Sequence, residues 1–128
     1  MILPEMQVQI DVIAYLNSVA IDFDIYESKA NYSLAKKSYT KNKSLVEGHP
    51  DIAGCDSEGR AIYIELKAKG KLKTLRPKQK LFLKRKIRSK AFAVCVDSAQ
   101  MLNDLYLTWL KIDDKESFLL EFLNRKHS

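Results

Sequence analysis

The run AFAVCVD, residues 91–97, is the stretch that most restricts what this chain can become. A strand that alternates polar and apolar residues can leave one face in water, but a nearly continuous apolar strand must be covered on both. Helices packed on the faces of a sheet meet that need. The rest of the sequence supplies them. PEMQVQIDVIAYLNSV, residues 4–19, opens with Pro4 and Glu5, both favourable in a first helical turn, and has enough apolar residues to bury much of a helix. LRPKQKLFLKRKIRSK, 75–90, puts Pro77 near a helix start, with Leu81, Phe82, Leu83 and Ile87 on an inner side and Lys84, Arg85, Lys86 and Arg88 mostly outside. Ser98 can cap a helix over 99–110, and Asp113 or Asp114 a last helix carrying Phe118, Leu119, Phe122 and Leu123.

Three further strands come from shorter signals. IDFDIYE, 21–27, alternates Ile21, Phe23 and Ile25 with Asp22, Asp24 and Tyr26, the period of a strand with one wet face. DIAGC, 51–55, and RAIYIELK, 60–67, are joined by DSEG, where Asp56 suits the first position of a type I turn and Gly59 a left-handed last one. Between them, residues 28–47 have no clean period and predict a long loop, a length that usually serves binding or motion. Tyr32 and Tyr39 in it are open to stacking on bases or to packing. The order helix, three strands, helix, strand, helices predicts an α/β fold with a mixed sheet of about four strands flanked by helices. A chain of 128 residues has room for one domain, 1–128.

Charge is unevenly spread. Residues 67–90 hold twelve Lys and Arg and no acid, and 28–46 add five lysines, so all sixteen acids lie outside these two segments. The net charge of +6 is therefore concentrated, which suggests a polyanionic partner, with a lysine-rich solvated helix face as the plain alternative. No apolar run approaches eighteen residues and MILPEMQVQI lacks the pattern of a secretory signal, which predicts an intracellular, cytoplasmic protein without membrane contact. Cys55 and Cys95 each sit in a strand-like apolar run and read as free core thiols.

The hairpin carries charges that need a reason. If Ser57, Glu58 and Gly59 form a three-residue loop, Asp56 pairs with Arg60 and Asp51 faces Glu65. Like charges directly opposed are destabilising. Side-chain alternation puts Lys67 on the face of Glu65, away from Ile64 and Leu66. Two carboxylates and an ammonium at one sheet edge suit Mg2+ or Mn2+, which tolerates few protein ligands and keeps several waters. The plain alternative is that Asp51 merely opens a strand and that Glu65 and Lys67 form an ordinary ion pair on a wet face.

HPD at 49–51 and IELK at 64–67 resemble the signature of the PD-(D/E)xK nuclease superfamily, an acid opening one strand and E-x-K on the next. GHPDIAG, YIELKAKGK and PKQKLFL are similar to its virus-type replication-repair nuclease (VRR-NUC) branch, over Glu5 to about Asp97. The resemblance implies a restriction-endonuclease-like core and a Mg2+- or Mn2+-dependent DNA endonuclease. By similarity Asp51 and Glu65 hold the metal with the backbone carbonyl of Leu66, Lys67 is catalytic, Gln79 supports the site, and Glu5 matches a helical acid. For Glu5 the alternative is helix-dipole stabilisation, and for Gln79 a surface position.

Lys69, Lys71, Lys73, Arg76, Lys78 and Lys80, which follow the E-x-K strand, and Lys36 and Lys37 of the predicted loop are expected to contact DNA phosphates. No base-reading motif accompanies them, so recognition by DNA shape is expected. Small family members act on four-way junctions, which implies branched DNA and a homodimer, with Leu105, Trp109, Phe118 and Phe122 of the C-terminal helices as one candidate surface and sheet cover as the other reading. A DNA-binding module of the same fold without catalysis is the competing reading.

Overall fold

The computed structural model describes residues 2–26, 31–33, 38–40 and 48–127. It is an α/β fold in which a four-stranded mixed sheet is flanked by four helices, an arrangement consistent with a restriction-endonuclease-like core. Helix α1 spans Pro4–Ser18, with Pro4 in the first turn and Val8, Val12 and Leu16 buried at one-turn intervals. Strand β1, Asp22–Ile25, lies at one end of the sheet and pairs antiparallel with β4, Ile52–Cys55, which pairs antiparallel with β5, Ala61–Leu66. Helix α2, Pro77–Arg88, then crosses over so that β6, Phe92–Val96, runs parallel to β5.

Every residue of β6 is buried, because α2 packs against it together with α3, Ala99–Lys111, and α4, Lys115–Lys126. The sheet thus receives the two-sided cover that AFAVCVD demands. The caps follow the expected chemistry: Ser98 Oγ accepts from the Met101 amide at 3.1 Å, and Asp114 Oδ1 from the Ser117 amide at 3.1 Å.

Three expectations are corrected, and one open choice is decided. Within 28–47 the structure has two short strands, β2, Asn31–Ser33, and β3, Ser38–Thr40, paired antiparallel as a separate sheet. Three-residue strands are too short to print a period on the sequence. Ile25 is 46% exposed although it shares a strand face with Phe23: it is the last residue of β1, the end strand of the sheet, and of the two only Phe23 packs against the core. Leu81 is 60% exposed on α2, its inner face being taken by Gln79, Phe82, Leu83 and Ile87. Leu105 and Trp109 are buried and Phe118 and Phe122 pack against the core, so these C-terminal residues cover the sheet instead of offering a free surface.

The β4–β5 turn forms as expected: the Asp56 amide donates to the Arg60 carbonyl at 3.1 Å, the Gly59 amide to the Asp56 carbonyl at 2.9 Å, and Gly59 takes a left-handed φ of 78°. Asp56 does more than open the turn. Its carboxylate is buried and accepts from Arg60 Nε at 2.7 Å, the amides of Glu58 and Arg60, and the Tyr106 hydroxyl of α3 at 2.8 Å. Burial alone would push this carboxyl up, but the Arg60 and Tyr106 hydrogen bonds outweigh it and hold it below the ordinary range. Its contribution to stability is present above the ordinary carboxylate pKa and is lost as pH falls through the depressed value. Asp56→Ala leaves the Tyr106 hydroxyl without its acceptor and is expected to cost roughly 3 kcal/mol in urea unfolding; a loss under about 0.5 kcal/mol, the level of an ordinary surface substitution, would contradict the anchoring role.

Candidate active site

The strand register decides the site. Ile52 pairs with Ile64 and Cys55 with Ala61, so the next step of the ladder brings Asp51 opposite Glu65, as the turn predicts. Asp51 sits just before β4, its carbonyl accepting from the Tyr26 amide at 2.7 Å and its Oδ2 from the Leu66 amide at 2.8 Å. This second bond fixes one carboxylate against the end of β5.

Glu65 is buried, at 5% exposure, on the Tyr63 face of β5 against α2. Its Oε1 accepts from Gln79 Nε2 at 3.2 Å, while Oε2 is buried and finds no donor. Burial first, and then the Asp51 carboxylate acting as a nearby charge and hydrogen-bond partner, push the Glu65 carboxyl up to about 9; Lys67 opposes this and Glu5 adds to it. An unpaired buried carboxylate beside a second one is costly unless a proton or a cation joins them.

Gln79 is buried at 6% exposure, which removes the surface reading. It occupies the third position of α2, where its Oε1 accepts from the Arg76 amide at 2.9 Å and from Lys67 Nζ at 3.3 Å. One side chain therefore caps the helix, holds the lysine and supports Glu65. The approach to Asp51 is fitted to the same turn: Gly48 has φ 82°, and a Cβ there would meet the Lys78 carbonyl oxygen at 2.4 Å, so any larger residue would push α2 and the strand entry apart.

These side chains line an open cleft of about 220 Å³ shared by Glu5, Asp51, Glu65, Lys67, Ala68, Lys71, Thr74, Arg76 and Gln79. Glu5, in the first turn of α1, is thus brought to the cleft beyond any helix-dipole role. Among the described residues no group of three or more His, Cys, Asp or Glu is arranged to hold a metal ion; Glu5 is an exposed residue of the cleft lining, and Asp51 and Glu65 form the acidic pair.

Of the expected phosphate contacts, Lys71 and Arg76 line the cleft; Lys69, Lys73 and Lys78 are exposed outside its lining and Lys80 is half-buried. Lys36 and Lys37 lie outside the described residues. Thr74 and Ala68 were not signalled by sequence; the 3-10 turn Leu72–Thr74 brings the former in, and its hydroxyl donates to the Lys71 carbonyl at 2.7 Å. Cys95 pairs with Glu65 across β5 and β6, and burial pushes its thiol far up, so it acts as core.

The residues present fit a divalent cation of the hard, oxygen-seeking kind: two adjacent carboxylates, one with an orphaned buried oxygen, and a lysine bonded to Gln79 at the same cleft. No helix among the described residues is long and apolar enough to cross a membrane. No protein-family model, curated protein or solved structure matches the chain, so what favours one chemistry over another is the arrangement of these side chains.

Proposed function

We propose that this protein is a Mg2+- or Mn2+-dependent DNA endonuclease that hydrolyses phosphodiester bonds, with branched DNA such as a four-way junction as its substrate. The observation that carries this reading is the buried, donor-free Oε2 of Glu65 next to Asp51, in a cleft whose other wall is cationic. Asp51, Glu65 and the Leu66 carbonyl would hold the ion. When bound, it supplies an activated water and polarises a phosphoryl oxygen.

The chain does the rest. Gln79 fixes Glu65 and Lys67 relative to each other. Lys67 Nζ orients the attacking water and offsets the negative charge that builds up on the phosphoryl oxygens. Lys71 and Arg76 receive the backbone phosphates beside the scissile one, which supplies affinity without reading sequence. Labelled junction, flap, single-stranded and linear DNA, incubated with each divalent ion, test this reading. Cleavage with Mg2+ or Mn2+ that stops with chelator is expected, whereas intact substrates that are still bound would leave a catalytically silent DNA-binding module.

Cutting both sides of a symmetric junction calls for two copies. The surface that favours a second copy is at the start of α1: Met6 and Ile10, one turn apart on the helix, and Ile2 and Leu3 just before it are each about half exposed and form an apolar patch. Such a patch is complementary to itself under two-fold symmetry, and the same helix carries Glu5 at the cleft. Sedimentation is expected to give a dimer that Met6→Glu with Ile10→Glu converts to monomer; a monomeric parent protein would overturn the pairing.

A further inference from the structure

Helix α2 carries basic residues beyond those at the cleft, and two of them are held differently from ordinary surface charges. Lys86 Nζ lies 5.1 Å from the Tyr63 ring centroid and 5.3 Å from that of Phe82, and the Arg85 guanidinium lies 5.2 Å from Phe82. Tyr63 and Phe82 meet edge to face at 5.7 Å, and His49, two residues before Asp51, packs on Phe82 at 5.4 Å. The rings form a platform under the two cations, which limits their motion.

Arg125 pairs with Glu121 on α4, and the other cations seated on a ring among the described residues have polar partners as well: Arg60, over Trp109, pairs with Asp56, and Lys115, over the same ring, donates to the carbonyls of Leu110 and Ile112. Among the described residues no carboxylate lies within ion-pair distance of Arg85 or Lys86, and no acid occurs anywhere from 67 to 90. A helix face kept only for solubility would interleave acids, as α4 does. Positioned cations without counter-charges present a surface for an anion from outside.

The platform also shares a face with the acidic pair. Tyr63 and Glu65 are two apart on β5 and point to the same side, about 7 Å along the strand. That distance is about two steps of stacked nucleic acid at 3.4 Å per step along one strand. We infer that Arg85 and Lys86, seated on Phe82 and Tyr63, form a second, metal-independent binding site for the DNA backbone, which holds the strand a short distance from the scissile phosphate. This site rests on the nuclease reading only for the direction in which the strand leads.

The test is binding of labelled single-stranded and duplex DNA in chelator, across a salt series, for the full chain. Arg85→Gln and Lys86→Met, the latter keeping the apolar stem on Tyr63, are each expected to lower the slope of log K against log salt by about 0.9, and together to weaken binding about tenfold. The stabilising effect of Mn2+ on melting is expected to be unchanged in both, and Arg125→Gln on α4 to bind as the parent protein does. Unchanged binding by the double variant, an equal loss in Arg125→Gln, or dependence on these residues for RNA but not DNA would overturn the site. The nuclease reading fails separately: DNA held through Arg85 and Lys86 yet never cut overturns the enzyme and leaves the site, whereas cleavage with unaltered binding by the variants overturns the site and leaves the enzyme.

Discussion

Lys67→Ala is expected to lower the rate of DNA hydrolysis about 10³-fold while DNA binding in chelator changes little, the scale of losing one positioned donor at a developing oxyanion. The reason lies in how Lys67 is held. Its Nζ is bonded to Gln79 at 3.3 Å and lines the cleft containing Asp51 and Glu65, which on the proposed reading puts it at the reacting centre. It is half-buried, and its backbone amide is bonded to the Val96 carbonyl at 3.0 Å whatever the side chain. Single-turnover cleavage rates and binding in chelator, measured on one preparation, separate the two effects. Equal losses in both would assign Lys67 to substrate affinity alone.

Glu65→Gln is expected to do two opposite things. Without metal at pH 8 it raises the melting temperature by about 4 °C, the shift that roughly 1 kcal/mol gives in a domain of this size, because an amide replaces a buried carboxyl that has no donor at Oε2. With Mn2+ it removes the stabilisation that the parent protein gains, along with the cleavage activity. The pH dependence follows from the raised value. Below the ordinary 4.5 the folded and unfolded chains both hold the proton and the contribution to stability is whole; it is lost as pH rises toward about 9. Metal-free parent protein should therefore lose stability relative to Glu65→Gln across that window, as read by melting scans at successive pH values. Parallel melting curves for the two proteins would show that Glu65 is not an unpaired buried acid.

The parts of the fold that were legible in sequence are those set by local rules. DSEG specifies its turn because Asp56 and Gly59 satisfy requirements within four residues, and the turn then fixes the register that brings Asp51 to Glu65. Ser98, Asp114 and Pro77 mark helix starts for the same reason. What sequence leaves open depends on distant partners. The exposure of Ile25 follows from the place of β1 at the end of the sheet, and the burial of Asp56 from Tyr106, fifty residues away. Gln79 reads equally as a wet helix residue until β5 supplies Glu65 and Lys67 as its partners. The acidic pair was legible as opposed charges, but the depth of Glu65 and the orphaned Oε2, which turn that opposition into a demand for a shared proton or a cation, come only from packing of α2 on the sheet.

Calorimetric titration of Mn2+ into the metal-free protein at neutral pH tests the acidic pair most directly. The expected result is saturable binding at one ion per chain that disappears in both Asp51→Asn and Glu65→Gln, each variant remaining folded. An absence of binding by the parent protein, or equal binding by the variants, would contradict the cation site on which the proposed chemistry depends.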